Sequence, residues 1–295
     1  MKIRELRHNL WNVGFYEEGL ESLLTEKTPK IHWAKKKFKD RWFADPFILD
    51  VTDSEIIILA EEFCYDVKRG RIARVVFDRL TYEEKDYSII LDLPTHLSFP
   101  FIYRKGEKVY VMPENSASGC STIYEYDDDS RRLTAVNQVS DEPYTDATIF
   151  QAEGKTWLWT TMTPDPNGKI LRICDFDNTK LCVNKKCADV SFKNNIARNA
   201  GECFMVKDRL YRPAQDCTKC YGHGVVIQEC AHDSEGWHFK GINSFYPVSF
   251  KYNQGIHTLN HYQGLVVFDT RGFRYPIIGR IANFFINIRN VFSHG

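Results

Sequence analysis

Carboxylates recur along this chain beside short apolar runs. Asp45 lies in Phe43-Ala-Asp-Pro-Phe-Ile-Leu, Asp146 opens Asp-Ala-Thr-Ile-Phe, Glu114 ends Tyr110-Val-Met-Pro-Glu, and Glu202 sits in Gly201-Glu-Cys-Phe-Met. Glu61, Glu62 and Asp216 occupy the ends of neighbouring runs, Arg198 and Arg212 flank the fourth of them, and His257 lies in Gly255-Ile-His-Thr. Acids gathered in one concavity suit glycosyl chemistry: one serves as base or nucleophile, and another serves as acid or holds a sugar hydroxyl. Crowding raises the pKa of one of them and so divides the roles. Arginine can fork onto a carboxylate or a phosphate. The set Asp45, Asp146, Glu114 and Glu202 is therefore the catalytic candidate, with Glu62, Arg198, Arg212, Asp216 and His257 around the substrate.

Residues this far apart need an architecture that collects them. Five segments share one pattern of short apolar strand, polar turn and second strand. Their turns fall at Asp53-Ser54, Lys105-Gly106, Glu153-Gly154, Lys207-Asp208 and Gln263-Gly264. The period is about 50 residues. A third strand-like stretch follows in the first four: Ile72 to Phe77, Ser121 to Tyr126, Ile170 to Cys174 and Gly224 to Glu229. Such a repeat is a propeller blade, a twisted sheet that must stack on neighbours to bury both faces. The expected fold is all-β, a five-bladed β-propeller over residues 1–274. Trp11 to Tyr16 would close the last blade, and the inner-strand starts would converge at one channel mouth.

Composition sets the outer limits. The chain has 295 residues, 43% of them hydrophobic and 14% aromatic, enough for a large core and for rings that stack on sugars. Lysine plus arginine equals aspartate plus glutamate at 39 each, which removes the electrostatic case for general nucleic-acid binding. The charged first ten residues show no signal-peptide pattern, and no apolar run reaches the length of about 18 needed to span a membrane. The nine cysteines are then expected as reduced cytosolic thiols. A zinc site from Cys182, Cys187, Cys217 and Cys220 has poor spacing, so neither metal nor cofactor is expected.

The runs quoted above, with Asp40-Arg-Trp-Phe-Ala-Asp-Pro, Arg209-Leu-Tyr-Arg-Pro-Ala-Gln-Asp-Cys217 and Tyr221-Gly222, resemble the N-terminal domain of plant glucosamine inositolphosphorylceramide transferase and its bacterial polysaccharide-assembly relatives. The resemblance covers roughly residues 40 to 270. It adds Gln215 and Tyr221 to the substrate-binding candidates. It implies glycosyl transfer from an activated sugar, and a propeller acting alone or with another chain. That family is similar in turn to arabinanase and xylosidase propellers, which implies a general base at Asp45 and a pKa-tuning acid at Asp146. The acid lies between Glu202, one place out of register, and Glu114. Hydrolysis and non-catalytic glycan binding stay as alternatives.

Two motifs read as turns. Asp165-Pro-Asn-Gly, similar to an invertase nucleophile motif, suits a tight turn, and Asp127-Asp-Asp129 suits a solvated hairpin. Residues 275–295 leave the β pattern. Ile277, Ile281, Phe284, Phe285, Ile288 and Phe292 recur at helical spacing beside Arg280 and Arg289. This amphipathic helix is expected to meet an anionic membrane surface on the cytoplasmic side, a glycosyltransferase partner or the propeller itself.

Overall fold

The computed structural model describes residues 9–247 and 249–281. The first described elements are strand β1 (Asn9–Tyr16), a short helix α1 (Gly19–Leu23) and strand β2 (His32–Trp33). Four antiparallel blades follow: β3 (Arg41–Val51) to β6 (Glu84–Leu91), β7 (Ser98–Lys105) to β10 (Arg132–Ser140), β11 (Tyr144–Ala152) to β14 (Cys182–Ser191), and β15 (Phe204–Val206) to β18 (Gly236–Phe245). Strands β19 (Leu259–Tyr262) and β20 (Leu265–Phe273) then pair with β1 and β2 in the order β19-β20-β1-β2. The result is a five-bladed propeller. Its fifth blade is completed by the beginning of the chain, with β1 pairing β20 from Asn9↔Phe273 to Tyr16↔Val266.

Local chemistry explains the hairpins. Glu153-Gly154, Lys207-Asp208 and Gln263-Gly264 each place two successive residues at positive φ, the type I′ geometry that matches strand twist. Between blades, apolar faces interdigitate. Val13 and Phe15 of β1 pack with Phe43, Ile58 and Phe77 of the first blade and Val267 of the fifth. Trp159, Leu171, Leu210 and Cys230 fill the gap between blades three and four. The core is thus a ring of inter-blade seams.

The sequence pattern showed three strands per blade, and the structure has four. The fourth strands lie at the rim, where only a minority of positions are buried; Arg132–Ser140 is largely solvated. Such strands carry little of the alternation that betrays a half-buried one. A second difference concerns sulfur. Cys174 and Cys187 are register partners on β13 (Ile170–Asp177) and β14 and form a disulfide, where nine reduced thiols were expected. That bond removes Cys187 from the considered zinc set. Past β20 a helix, α2, begins at 276–281, with Ile277, Ile278 and Ile281 exposed. Phe284, Phe285, Ile288, Arg289 and Phe292 lie outside the described residues.

Closure through β1 has a measurable cost when weakened. Phe15 is fully buried in the seam between blades five and one. Phe15→Ala should destabilise the whole ring by about 3–5 kcal/mol in a single cooperative transition, read by chemical denaturation. Loss of β1 packing without loss of the other blades would show that the ring does not depend on this seam.

Candidate active site at the channel mouth

The inner strands of blades one to three begin with the same kink. Asp45, Phe99 and Asp146 have φ of 48°, 42° and 46°, and each lies within a register shift: Ala44/Phe47, Ser98/Phe101 and Thr145/Thr148. A left-handed non-glycine residue at a bulge is strained and persists only where surrounding bonds hold it. Those bonds are present. The Asp45 carboxylate accepts the Phe99 N–H of the next blade at 3.1 Å and the Thr258 hydroxyl of the fifth blade at 2.7 Å. Asp146 accepts from Arg198 at 2.6 and 3.2 Å and from the Gln215 amide at 2.7 Å, while its carbonyl accepts from Asn199.

Beneath Asp45 lies a buried triad. Asp269 takes the N–H groups of His257, Thr258 and Asp45, each at 3.0 Å, and pairs with His257 Nδ1 at 2.5 Å. His257 Nδ1 is also 3.6 Å from Asp45. Burial disfavours a charged imidazole here, but the two aspartates outweigh it and raise the His257 pKa. The ligand-type atoms of Asp45, His257 and Asp269 lie within 4.8 Å of one another. All three are engaged by one another and by N–H or hydroxyl donors, the arrangement of a salt-bridged structural triad rather than a ready cation site.

Burial sets the electrostatics. Asp45 and Asp146 are 5% and 2% exposed. Desolvation raises the Asp45 pKa against the pull of His257. Desolvation also pushes Asp146 up to about 6; Arg198 opposes the shift, and Asp45 and Glu114 add to it. The mutual effect brings Asp45, Glu114 and Asp146 within electrostatic reach of one another. Glu114 accepts from Ser98 Oγ at 2.8 Å and from the Ser116 N–H at 3.0 Å. Tyr221 covers the cluster, edge-on to His257 at 5.2 Å and beneath Arg198 at 5.0 Å. Burial lifts its pKa well above the ordinary phenol value; Arg198 opposes this, while Asp45, Asp146 and Glu61 add to it.

Four expected members stand elsewhere. Glu62 points to one face of β4 (Glu55–Cys64), held by Arg41 at 2.9 Å and Arg71 at 3.0 Å; alternation along the strand gives the face toward Asp45 and His96 to Glu61 instead. Arg212 is wholly buried inside blade four. It bonds Asn199 at 2.8 Å, Gln228 at 2.7 Å and the carbonyl of Ala197, so no substrate phosphate can reach it. Glu202 lies apart from the carboxylate cluster, within reach of the Arg104 charge. Burial lifts its pKa to about 7, against the Arg104 charge. Blade four starts its inner strand with Ala200-Gly201, where a Cβ on Gly201 would lie 1.9 Å from the Leu259 carbonyl oxygen, so this blade has no counterpart of Asp45 or Asp146. Asp216 is turned to the Tyr246 hydroxyl and the Thr218 N–H, both at 2.9 Å.

Sequence reasoning passed over Asp269, Thr258, His96 and Asn167. Asn167, in the Asp165-Pro-Asn-Gly turn, accepts from Arg198 at 2.7 Å. His96 Nδ1 accepts the Gly70 N–H at 2.9 Å, which leaves Nε2 to face Glu61 at 3.3 Å. Burial pushes Glu61 up to about 7 despite that contact.

Residues 31–265 match the family model described as glucosamine inositolphosphorylceramide transferase 1, N-terminal. The chain belongs to this family. It is 28% identical over 198 residues to glucosamine inositolphosphorylceramide transferase 1 of Oryza sativa subsp. indica, covering 64% of this chain and 26% of the relative. The Arabidopsis thaliana protein of that name is 29% identical over 198 residues, 64% of this chain and 25% of the relative. The chain therefore spans about a quarter of the curated relatives it matches. Its fold is similar to a β-xylosidase, with a TM-score of 0.56 at 10% identity, covering 78% of this chain and 91% of that one. A GH43_1 enzyme from Xanthomonas citri complexed with xylose gives 0.54 at 11% identity, covering 78% and 86%.

The carboxylate shifts predict a pH profile. Glu61 and Asp146 both have folded pKa values above their unfolded ones, so the native state binds more protons than the unfolded chain between about pH 5 and pH 8. Stability should fall as pH rises through that window. Glu61→Gln should flatten the fall by on the order of 2–3 kcal/mol between its ends. Melting temperatures of both proteins across the window test this; parallel curves would mean that Glu61 titrates normally.

Proposed function

We propose that this chain is a carbohydrate-active propeller in cell-surface glycan assembly, serving glycosyl transfer from an activated sugar. The observation that carries the reading is the meeting of Asp45, Glu114 and Asp146 at one mouth, with Arg198, Gln215 and Tyr221 beside them, in a chain of this family. Asp146, with its pKa near 6, is mostly ionised at neutral pH and oriented by Arg198, so it can accept a proton from a sugar hydroxyl. Asp45, locked by its hydrogen bonds, fixes the position of a bound ring. An activated donor brings its own leaving group, so transfer needs no carboxylic acid at the leaving oxygen.

One observation favours hydrolysis as a second reading. Glu61, with its pKa near 7, is about half protonated at neutral pH, a state suited to a general acid. The exposed apolar residues of α2, Ile277, Ile278 and Ile281, support contact with an anionic membrane surface or a transferase partner.

Assays with aryl glycosides, arabino- and xylo-oligosaccharides and nucleotide sugars separate the readings. Under transfer, nucleotide-sugar binding is expected in the intact protein and should fall roughly tenfold or more in Arg198→Ala, which also frees the Asp146 carboxylate. Robust glycoside turnover, lost in Glu61→Gln, would replace transfer by hydrolysis. Asp45→Asn should reduce either activity by about 10²–10⁴-fold. It should also cost about 1–3 kcal/mol of stability, because an amide nitrogen cannot accept the Phe99 N–H.

A further inference from the structure

A second concavity lies away from the carboxylates, between the fifth and first blades. It encloses about 840 Å³, and its lining carries six cations and no acid: Lys35, Lys36, Lys39, Arg41, Lys251 and Arg274. Two of these are already neutralised. Lys35 pairs with Glu83 at 3.3 Å, and Arg41 is held by Asp40 at 2.6 Å and Glu62 at 2.9 Å. Lys39, Lys251 and Arg274 have no carboxylate partner among the described residues. Lys251 and Arg274 rest instead on the rings of Tyr252 and Tyr275, at 5.1 and 5.9 Å. Lys36 bonds the Trp11 carbonyl and lies close enough to Lys251 to feel its charge, with Glu84 the acid behind it. Desolvation, then repulsion from Lys251, lowers the Lys36 pKa to about 7.

Six cations lining one open concavity, two of them, Lys36 and Lys251, close enough to repel, carry an electrostatic penalty that a multivalent anion would relieve. The aromatic walls, Trp33 and Tyr252 among them, suit an organic group attached to that anion. The cavity also adjoins the carboxylate mouth through a single residue. The Trp11 ring stacks on His257 at 4.0 Å while its carbonyl accepts from Lys36.

We propose that this cavity binds the phosphate or diphosphate group of a phosphorylated ligand, with Lys39, Lys251 and Arg274 taking the anionic oxygens and Lys36 completing the cradle. The assignment goes beyond the reading of the mouth and does not rest on it. It adds anion-binding cations beyond the two arginines that the sequence offered, of which Arg212 is sealed in blade four and Arg198 already shares Asp146. A soluble sugar phosphate and a phosphorylated lipid headgroup present the same chemistry.

The test uses calorimetric titration with inorganic pyrophosphate, and co-sedimentation with phosphatidylcholine vesicles containing a minority of phosphatidic acid. The cavity variant Lys251→Glu/Arg274→Glu is compared with Lys180→Glu/Lys207→Glu, which makes the same charge change at two remote turns. Pyrophosphate binding that weakens about tenfold or more in the cavity variant alone supports the site and a soluble ligand. Vesicle binding with that dependence, and no pyrophosphate binding, supports the site and a lipid headgroup. Binding of neither probe, or equal weakening in both variants, overturns it. Should the double variant melt early, Lys251→Gln replaces it under the same criteria. Retained pyrophosphate binding in Asp146→Asn would separate this site from the mouth.

Discussion

The carboxylate of Asp269 does the work on which the closed ring depends. A propeller of five separate sheets has no covalent reason to stay circular, and its inner strands point backbone groups at a narrow channel where water cannot satisfy them. Asp269 answers both needs. It stands on β20, gathers the N–H groups of His257 and Thr258 in its own blade, and reaches the N–H of Asp45 in the first. Burial works against its ionisation, but the facing His257 ring and the N–H donors outweigh that and keep its pKa low. The charge stays, and with it the clasp between the last blade and the first. Asn260 repeats the device with neutral chemistry, giving its amide N–H to the Pro46 carbonyl and accepting the Glu202 N–H.

This clasp also sets the character of the mouth. Residues that would handle a sugar are the same residues that stitch blades together, so Asp45 and Asp146 cannot be read as purely chemical or purely structural. Their φ values place them where a non-glycine backbone is strained, and the inter-blade hydrogen bonds hold that strain in place. Rigidity of this kind is useful to a binding site, because groups fixed by the fold need not be ordered again by the ligand.

Much of this was legible in the sequence, and the limits are physical. Five hairpins at constant spacing, with turn residues suited to positive φ, fixed blade number, and the apolar β1 segment showed how the ring would close. Rim strands stayed invisible because water faces most of their side chains. Inner-strand starts could be located, which brought Asp45 and Asp146 to the same end. The parity of a strand end could not be, so Glu62 stood where Glu61 belongs; a shift of one residue turns a side chain to the opposite face. Arg212 misled for a related reason. A buried arginine with neutral partners has the same local sequence as a ligand-binding one, and only Asn199, Gln228 and the carbonyls around it tell them apart. The basic cavity joins Lys36 to Lys251 and Arg274, more than two hundred positions further along, which no local motif connects.

The register of β1 against β20 bears on mechanics. Asn9 faces Phe273, so the ladder's first pair joins the start of β1 to the end of β20. Tension applied between those two points would load the terminal pair first, then the next, opening the sheet like a zipper rather than shearing all its hydrogen bonds together. Peeling of that kind needs far less force than shear. A tether at one end alone leaves the seam unloaded, whereas opposed tethers at both ends would open the ring at its least resistant joint.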